Sequence, residues 1–213
     1  PCKNIAKLSK AKNISVISDY WTKKLSRDIK KKFGKFDLIF SANTITHIKN
    51  LDEVFSAVNH VLDENGVFII QDPSLLELIK NNAYDQFYNE HIYVFSYLSL
   101  SSILKSHDFE IFHIENISDH GGSLRYYIKK KNSNFKITKS VKDQKKLEIN
   151  FGLQNFSTYK KFSSNVKYSR EKLIKLFNKI KSKNQKIIGY GATAKAVTVL
   201  NYCKINNDLI NYF

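Results

Sequence analysis

Residues 36–71 read FDLIFSANTITHIKNLDEVFSAVNHVLDENGVFIIQ, and this stretch decides the fold class. Phe36–Ser41 is a short β-rich run. Leu51, Val54, Phe55, Val58 and Leu62 then recur at the spacing of one helix face. Asn50 stands where a side chain can cap the helix start, and Gly66 is expected to follow its end. Val67–Gln71 is a second β-rich run. Strand, helix and strand in that order form a β-α-β unit, which calls for a parallel pair with the helix laid across it.

Working outward, Ile14–Ser18 reads as an earlier strand. Downstream, Glu110–Glu115 and Ser123–Lys129 are β-rich and separated only by Asn116–Gly122, too short a link for a helical crossover, so they are expected to pair antiparallel. From about Asn132 the chain turns polar and helical, with Tyr159, Phe162, Val166, Leu173, Phe177 and Ile180 in one apolar stripe. This is a helical connector. At Lys186–Gly189 a new strand is expected, followed by Gly189-Tyr190-Gly191-Ala192-Thr193-Ala194-Lys195 and an apolar run through Leu200, with Leu209–Phe213 as the next strand. The organisation is therefore α/β over residues 1–131, a connector over 132–185, and the start of a second α/β domain over 186–213. The chain is expected to open inside a helix-forming turn at Pro1-Cys2-Lys3-Asn4, without the central strand and glycine-rich loop of its first domain, and to stop before its last domain is complete.

A chain of 213 residues, 42% hydrophobic and 13% aromatic, has the composition of an ordinary globular protein. No run reaches the roughly 18 apolar residues of a membrane span, and no charged-then-apolar leader opens it, so a cytoplasmic protein with no membrane partner is expected. Cys2 and Cys203 stand at opposite ends, which gives no disulfide framework and no zinc cluster. The formal charge of +16, from 35 basic and 19 acidic residues, would suit an anionic partner. The simpler reading is a solvated surface: Lys23, Lys24, Lys30 and Lys31 fall on outward-facing helix positions, and no nucleic-acid-binding motif accompanies them.

Chemistry concentrates in Tyr84-Asp85-Gln86-Phe87-Tyr88-Asn89-Glu90-His91-Ile92-Tyr93-Val94-Phe95-Ser96, a loop leading to a helix capped by Ser96. Loops of this kind, at the carboxyl ends of strands, are where open α/β sheets place ligands. A histidine titrates near neutrality, and a neighbouring phenol or carboxylate can orient it or hold a developing oxyanion, so the cluster suits removal of a proton beside a ketone. Two more histidines occupy comparable loops: His47 in Ser41-Ala42-Asn43-Thr44-Ile45-Thr46-His47, and His120 in His120-Gly121-Gly122-Ser123-Leu124-Arg125. The Gly-Gly pair lets backbone approach a ligand, and equally makes a tight link between two strands. No paired spacing or HExxH helix supports a metal site. His60, His107 and His113 fall in helix or strand positions and read as structural.

Five blocks in this order resemble the sugar C-methyltransferases, enzymes that act on nucleotide-linked 4-keto deoxysugars: Ser41-Ala42-Asn43 with His47; Phe87-Tyr88-Asn89-Glu90-His91 with Tyr93, Phe95 and Ser96; His120 to Arg125; Gly152-Leu153 with Tyr159 and Phe162; and Tyr190 to Lys195 with Leu200-Asn201-Tyr202-Cys203. The resemblance implies a partial Rossmann-like class I methyltransferase sheet, with S-adenosylmethionine as cofactor. It also implies an N-terminal zinc-binding domain, absent here, and a C-terminal Rossmann-like domain that helps hold the nucleotide-sugar, most simply a dTDP-linked one. By motif match His91 is the base, with Tyr88 and Glu90 beside it and His47 as a second contact to the sugar. Asp19, Tyr20, Ala42 and Asn43 would line the adenosine end of the cofactor. Phe95, His120, Gly121, Gly122 and Ser123 would meet the substrate, whose diphosphate is assigned to Gly189, Gly191 and Lys195. This chain alone is expected to be inactive.

A rival reading uses Gly189-x-Gly191-x-x-Ala194 as a dinucleotide fingerprint and makes the protein a nicotinamide-dependent oxidoreductase; it requires a strand directly before the turn. A non-catalytic anion or nucleic-acid binder, suggested by charge alone, leaves the Tyr88, Glu90 and His91 cluster without a use.

Overall fold

A computed structural model describes residues 3–191 and 193–210. Helices α1 (Lys3–Ala11) and α2 (Lys23–Phe33) precede strand β1 (Phe36–Ala42), helix α3 (Leu51–Val61) and strand β2 (Leu62–Pro73). Helices α4 (Leu75–Lys80) and α5 (Tyr97–Lys105) lead to strands β3 (Phe109–Ile117) and β4 (Ser123–Lys130). Helices α6 (Lys139–Phe151), α7 (Phe156–Lys181) and α8 (Ala194–Cys203) follow.

The four strands form one sheet in the order β1-β2-β4-β3. β1 and β2 run parallel, with Ile39 opposite Phe68 and Ser41 opposite Ile70. β4 is antiparallel to both neighbours, placing Tyr126 beside Ile70 on one side and Ile114 on the other. The fold is thus α/β with a mixed sheet, and both the β-α-β unit and the antiparallel pair stand where the sequence places them. The β-α-β unit holds because Asn50 caps α3, its side-chain oxygen accepting the Glu53 N–H at 3.1 Å. The face carrying Val54, Phe55, Val58 and Val61 is buried. Val54, Phe55 and Val58 join Leu100 and Leu104 of α5 and Phe68, Ile70, Ile111, Tyr126 and Ile128 of the sheet in the main core. Gly66 does a different job from the one expected. The helix has already ended at Val61, and Gly66 lies inside β2, where a Cβ would stand 2.9 Å from the Phe36 carbonyl and 2.8 Å from Leu62 Cδ1.

Ile14–Ser18 is not a strand. A strand needs a hydrogen-bonding neighbour. Among the described residues this segment has none, and Ile14 and Ile17 remain exposed. On β1, Leu38 and Phe40 are 58% and 56% exposed, so one face of the sheet at this edge is uncovered. Lys186–Gly189 is likewise no strand but a single bridge position at Ile188. Leu209 sits in a turn and Ile210 in no regular element, while residues 211–213 of the expected Leu209–Phe213 strand lie outside the described residues, as does Ala192 of the glycine-rich turn.

The connector consists of α6 and α7, joined through Gly152, whose φ of 84° ends α6 in the left-handed region that glycine adopts without penalty. The apolar stripe of α7 is shared between two cores. Tyr159 and Phe162 pack with Leu76, Leu78, Ile79 and Leu153. Leu173 and Phe177 pack with Cys203, Ile205 and Ile210. Buried Glu148 of α6 ties the connector to the sheet domain: its carboxylate accepts the Tyr97 N–H at 2.8 Å and the Leu98 N–H at 3.0 Å, at the start of α5. A negative charge at a helix N-terminus satisfies orphan donors and complements the helix dipole. No helix among the described residues is long and apolar enough to cross a membrane.

Candidate active site

The ionisable loop runs between α4 and α5, beyond the carboxyl end of β2. Ser96 caps α5 as expected: its Oγ accepts the Ser99 N–H at 3.1 Å, and the Ser99 hydroxyl closes a reciprocal capping box. Within the loop, Nδ1 of His91 lies 2.9 Å from the Gln86 carbonyl. A carbonyl oxygen only accepts, so Nδ1 carries the hydrogen and Nε2 presents a lone pair. Tyr88 donates its hydroxyl to that lone pair at 2.8 Å. Burial pushes His91 below the usual histidine range, against the Gln86 hydrogen bond that raises it, and nearby His47, Lys195 and His120 push it down further. The ring is therefore neutral near pH 7. Burial also raises the Tyr88 phenol, with a contribution from the Glu90 charge.

His47 closes the site from the β1–α3 connection. It ends a short 3-10 turn, Ile45–His47, and its Nδ1 donates to the Glu90 carbonyl at 2.7 Å. Its ring centroid lies 5.0 Å from that of His91. Glu90 contributes this carbonyl, while its side chain is exposed. His120 arrives from the β3–β4 connection with φ 56°. Its carbonyl accepts from the Gln86 side chain at 3.0 Å. Gly122 adopts φ 121° and lies so close to α4 that a Cβ would stand 2.7 Å from Glu77 Cβ, whereas Gly121, at φ 83°, faces open space. Ser123 is buried, its hydroxyl donating to the Asp119 carbonyl at 3.0 Å.

The other expected residues fall differently. Phe95 is 2% exposed, stacked on Tyr93 and packed in the main core, so its contact with substrate gives way to a packing role. A benzyl side chain gains more from burial in an apolar core than from a polar cleft. Gly189 is half-buried and Gly191 exposed, both in loop, and Lys195 lies in the first turn of α8, close enough to influence His91. Among the described residues Lys186–Gly189 forms only a bridge position at Ile188, short of the strand that a dinucleotide fingerprint follows. Between the loop and α8 lies a groove of about 290 Å³ lined by Phe87, Tyr88, Asn89 and Glu90 on one side and Ala194, Val197, Thr198 and Asn201 on the other.

At the carboxyl end of β1, Ala42 and Asn43 are half-buried, Asn43 with φ 48° and its N–H on the Gln71 carbonyl at 2.8 Å. Asp19 and Tyr20 are exposed, Tyr20 by 71%. They immediately precede Trp21, which with Ser41, Thr44, Ile45 and Phe68 lines an apolar pocket of about 230 Å³. Among the described residues, no three His, Cys, Asp or Glu side chains gather into a set able to hold a metal ion.

Sequence reading missed Gln86 and Thr46. Gln86 is 3% exposed and orients both His91 and the His120 loop. Its signal was present only as an amide inside a loop otherwise read for charge.

Residues 4–114 match the family described as "Methyltransferase domain", which takes in more than half of the chain, and the chain belongs to that family. Residues 118–213 match the "C-methyltransferase C-terminal domain". C-methyltransferase NovU of Streptomyces niveus is 24% identical over 212 residues, a span that is 100% of this chain and 50% of that protein. The chain thus spans about half the length of the curated relative it matches. The resemblance to C-methyltransferases drawn from the five blocks is borne out. Among solved structures, an S-adenosylmethionine-dependent methyltransferase from Anabaena variabilis is similar with a TM-score of 0.45 and 16% identity, over 60% of this chain and 63% of the other. A precorrin-6y C5,15-methyltransferase from Geobacter metallireducens gives a TM-score of 0.36 and 13% identity, over 60% of each chain.

Proposed function

We propose that this chain forms the catalytic part of an S-adenosylmethionine-dependent C-methyltransferase acting on a nucleotide-linked 4-keto-6-deoxysugar. The observation that carries the reading is the chain of hydrogen bonds from Gln86 through His91 to Tyr88. It holds a neutral imidazole in the one tautomer that leaves Nε2 as the basic atom.

The cofactor supplies a methyl group on a positively charged sulfur. The pocket beside Trp21, Ser41 and Thr44 suits its adenine, with Asp19, Tyr20, Ala42 and Asn43 at the rim. A ketone acidifies the hydrogen on the adjacent carbon. His91 Nε2 takes that hydrogen once the Tyr88 hydroxyl has turned from Nε2 towards the ketone oxygen, where it donates to the charge that develops as the enolate forms. Carbon methylation needs this carbanion character, which is why a base stands at the site. His47, held by the Glu90 carbonyl, offers its other nitrogen to the sugar. The groove between the loop and α8 receives the remainder of the substrate, with Lys195 and the turn at Gly189 and Gly191 towards its diphosphate. In this reading residues 1–131 carry the chemistry, 132–185 connect, and 186 onwards begin the nucleotide-holding domain.

Incubation of the full-length protein with dTDP-linked 4-keto-6-deoxysugars and labelled S-adenosylmethionine, followed by mass spectrometry of the sugar, tests the reading. Label on a sugar carbon is the expected result. Absence of transfer to any of a panel of keto-sugars would reject the substrate class.

A further inference from the structure

The carboxyl end of β2 reads Gln71-Asp72-Pro73, and Asp72 is 1% exposed. Its Oδ1 accepts from the Thr46 hydroxyl at 3.4 Å, while its Oδ2 has no partner among the described residues. Thr46 is also buried, 2% exposed, and is the residue immediately before His47. The Thr46 carbonyl accepts two N–H groups, from Ile92 at 2.9 Å and from Tyr93 at 3.2 Å. Those two residues directly follow His91. His47 meanwhile holds the carbonyl of Glu90, directly before it. The backbone on both sides of His91 is thus bonded to the pair Thr46-His47, and that pair is fastened to the sheet by a side-chain bond to Asp72.

We propose that Asp72 is a positioning residue for the histidine loop, acting through Thr46 to set where the His91 imidazole stands. The inference rests on the reading of His91 and Tyr88 as catalytic. A carboxyl group is a costly thing to bury with one oxygen unpartnered, and a hydrophobic side chain of the same size would fill this site more cheaply. Burial raises Asp72 to about 7, the Thr46 hydrogen bond opposing the rise. The titratable groups around it are the buried Tyr126 phenol of β4, which feels the Asp72 charge, and the His47 ring beyond Thr46. What the site uses is the oxygen that accepts from Thr46, since a shift of about 1 Å in a reacting group can cost on the order of 10²-fold in rate.

The test compares Asp72→Leu, which keeps volume and removes the acceptor, with Asp72→Asn, which keeps an oxygen in place, and with Thr46→Val, which removes the donor. All are made in the full-length protein. Asp72→Leu and Thr46→Val are each expected to lower kcat by about tenfold or more, with KM changed by less than about threefold; the double variant is expected to be no worse than either single one, because both break the same link. Asp72→Asn should recover most of the loss. Amide hydrogen exchange at Ile92 and Tyr93 should quicken in the Leu and Val variants and not in Asn, with the amides of α5 unchanged. Additive losses, an Asn variant as impaired as Leu, or exchange that quickens across the whole sheet would overturn the positioning role. Exchange needs no turnover, so failure of methyl transfer by the wild-type protein would sink the functional reading while the Asp72 link is still judged.

Discussion

Tyr88 donates to Nε2 of His91 across 2.8 Å, the two rings tilted by 35° with their centroids 4.1 Å apart. The phenol covers the lone pair on which the proposed proton abstraction depends, so the two residues form one unit.

Removing either member therefore has distinct consequences. His91→Ala is expected to lower kcat by about 10²–10⁴-fold, the usual worth of a positioned general base. Tyr88→Phe should cost about 10²–10³-fold, as for one lost oxyanion donor. Steady-state kinetics on the full-length protein measures both; a Tyr88→Phe enzyme with unaltered kcat would show that the phenol takes no part in holding charge.

The acid limb of the rate profile follows from His91. Its pKa is lowered, chiefly by burial, so the neutral base persists to a lower pH than an ordinary histidine permits. The rate is expected to be flat through neutrality and to fall only as pH drops through a value below 6.5, the normal histidine figure. Titration of the His91 ring by NMR reads the same value directly, and a ring that titrates above 6.5 would contradict the account.

Asp72 predicts a stability change of opposite sign. Its folded pKa of about 7 lies above the ordinary aspartate value of 3.8, so the folded state binds the proton more tightly than the unfolded chain does. The stabilising contribution is full below about pH 4 and is lost as pH rises through 7. Asp72→Asn does not titrate, and should exceed wild type in stability by roughly 2–4 kcal/mol above pH 7 and match it near pH 4. Urea denaturation at the two pH values decides.

Glu148 is the corresponding test for the connector. Glu148→Ala leaves the N–H groups of Tyr97 and Leu98 and the buried Gln144 amide without their acceptor. A loss of about 2–4 kcal/mol is expected, against a smaller one for Glu148→Gln, which retains one oxygen. Chemical denaturation checks it, and equal stability of the Ala variant would mean that α5 is capped by Ser96 alone.

The sequence made the β-α-β unit and the antiparallel pair readable because each is specified locally: Asn50 and the helix stripe for α3, and a short link between β3 and β4. The loop from Tyr84 to Ser96 was readable because ionisable groups cluster there in sequence. Where a residue's job is set by something far along the chain, that legibility ends. Gly66 looked like a helix terminator, and its reason is the carbonyl of Phe36, thirty residues away. Ile14–Ser18 has strand composition but, among the described residues, no neighbouring strand to pair with. Phe95 shares a motif with His91, yet its bridge to Ser74 at the end of β2 sets it in the core. Asp72 and Thr46 are separated by an entire helix and most of a strand, and only the sheet brings them to each other.

Helix α7 extends 26 residues, about 39 Å at the usual rise, and its two halves are seated in different cores. Phe87 of the histidine loop rests on Phe162 near one end, and Tyr84 meets Tyr202 and Cys203 of α8, which leans on the other. The helix thus works as a strut. A load applied to α8 reaches the loop directly at Tyr84 and, along α7, at Phe87, so the loop is held at two points, and a shift of α8 would be felt at the imidazole as a change of angle.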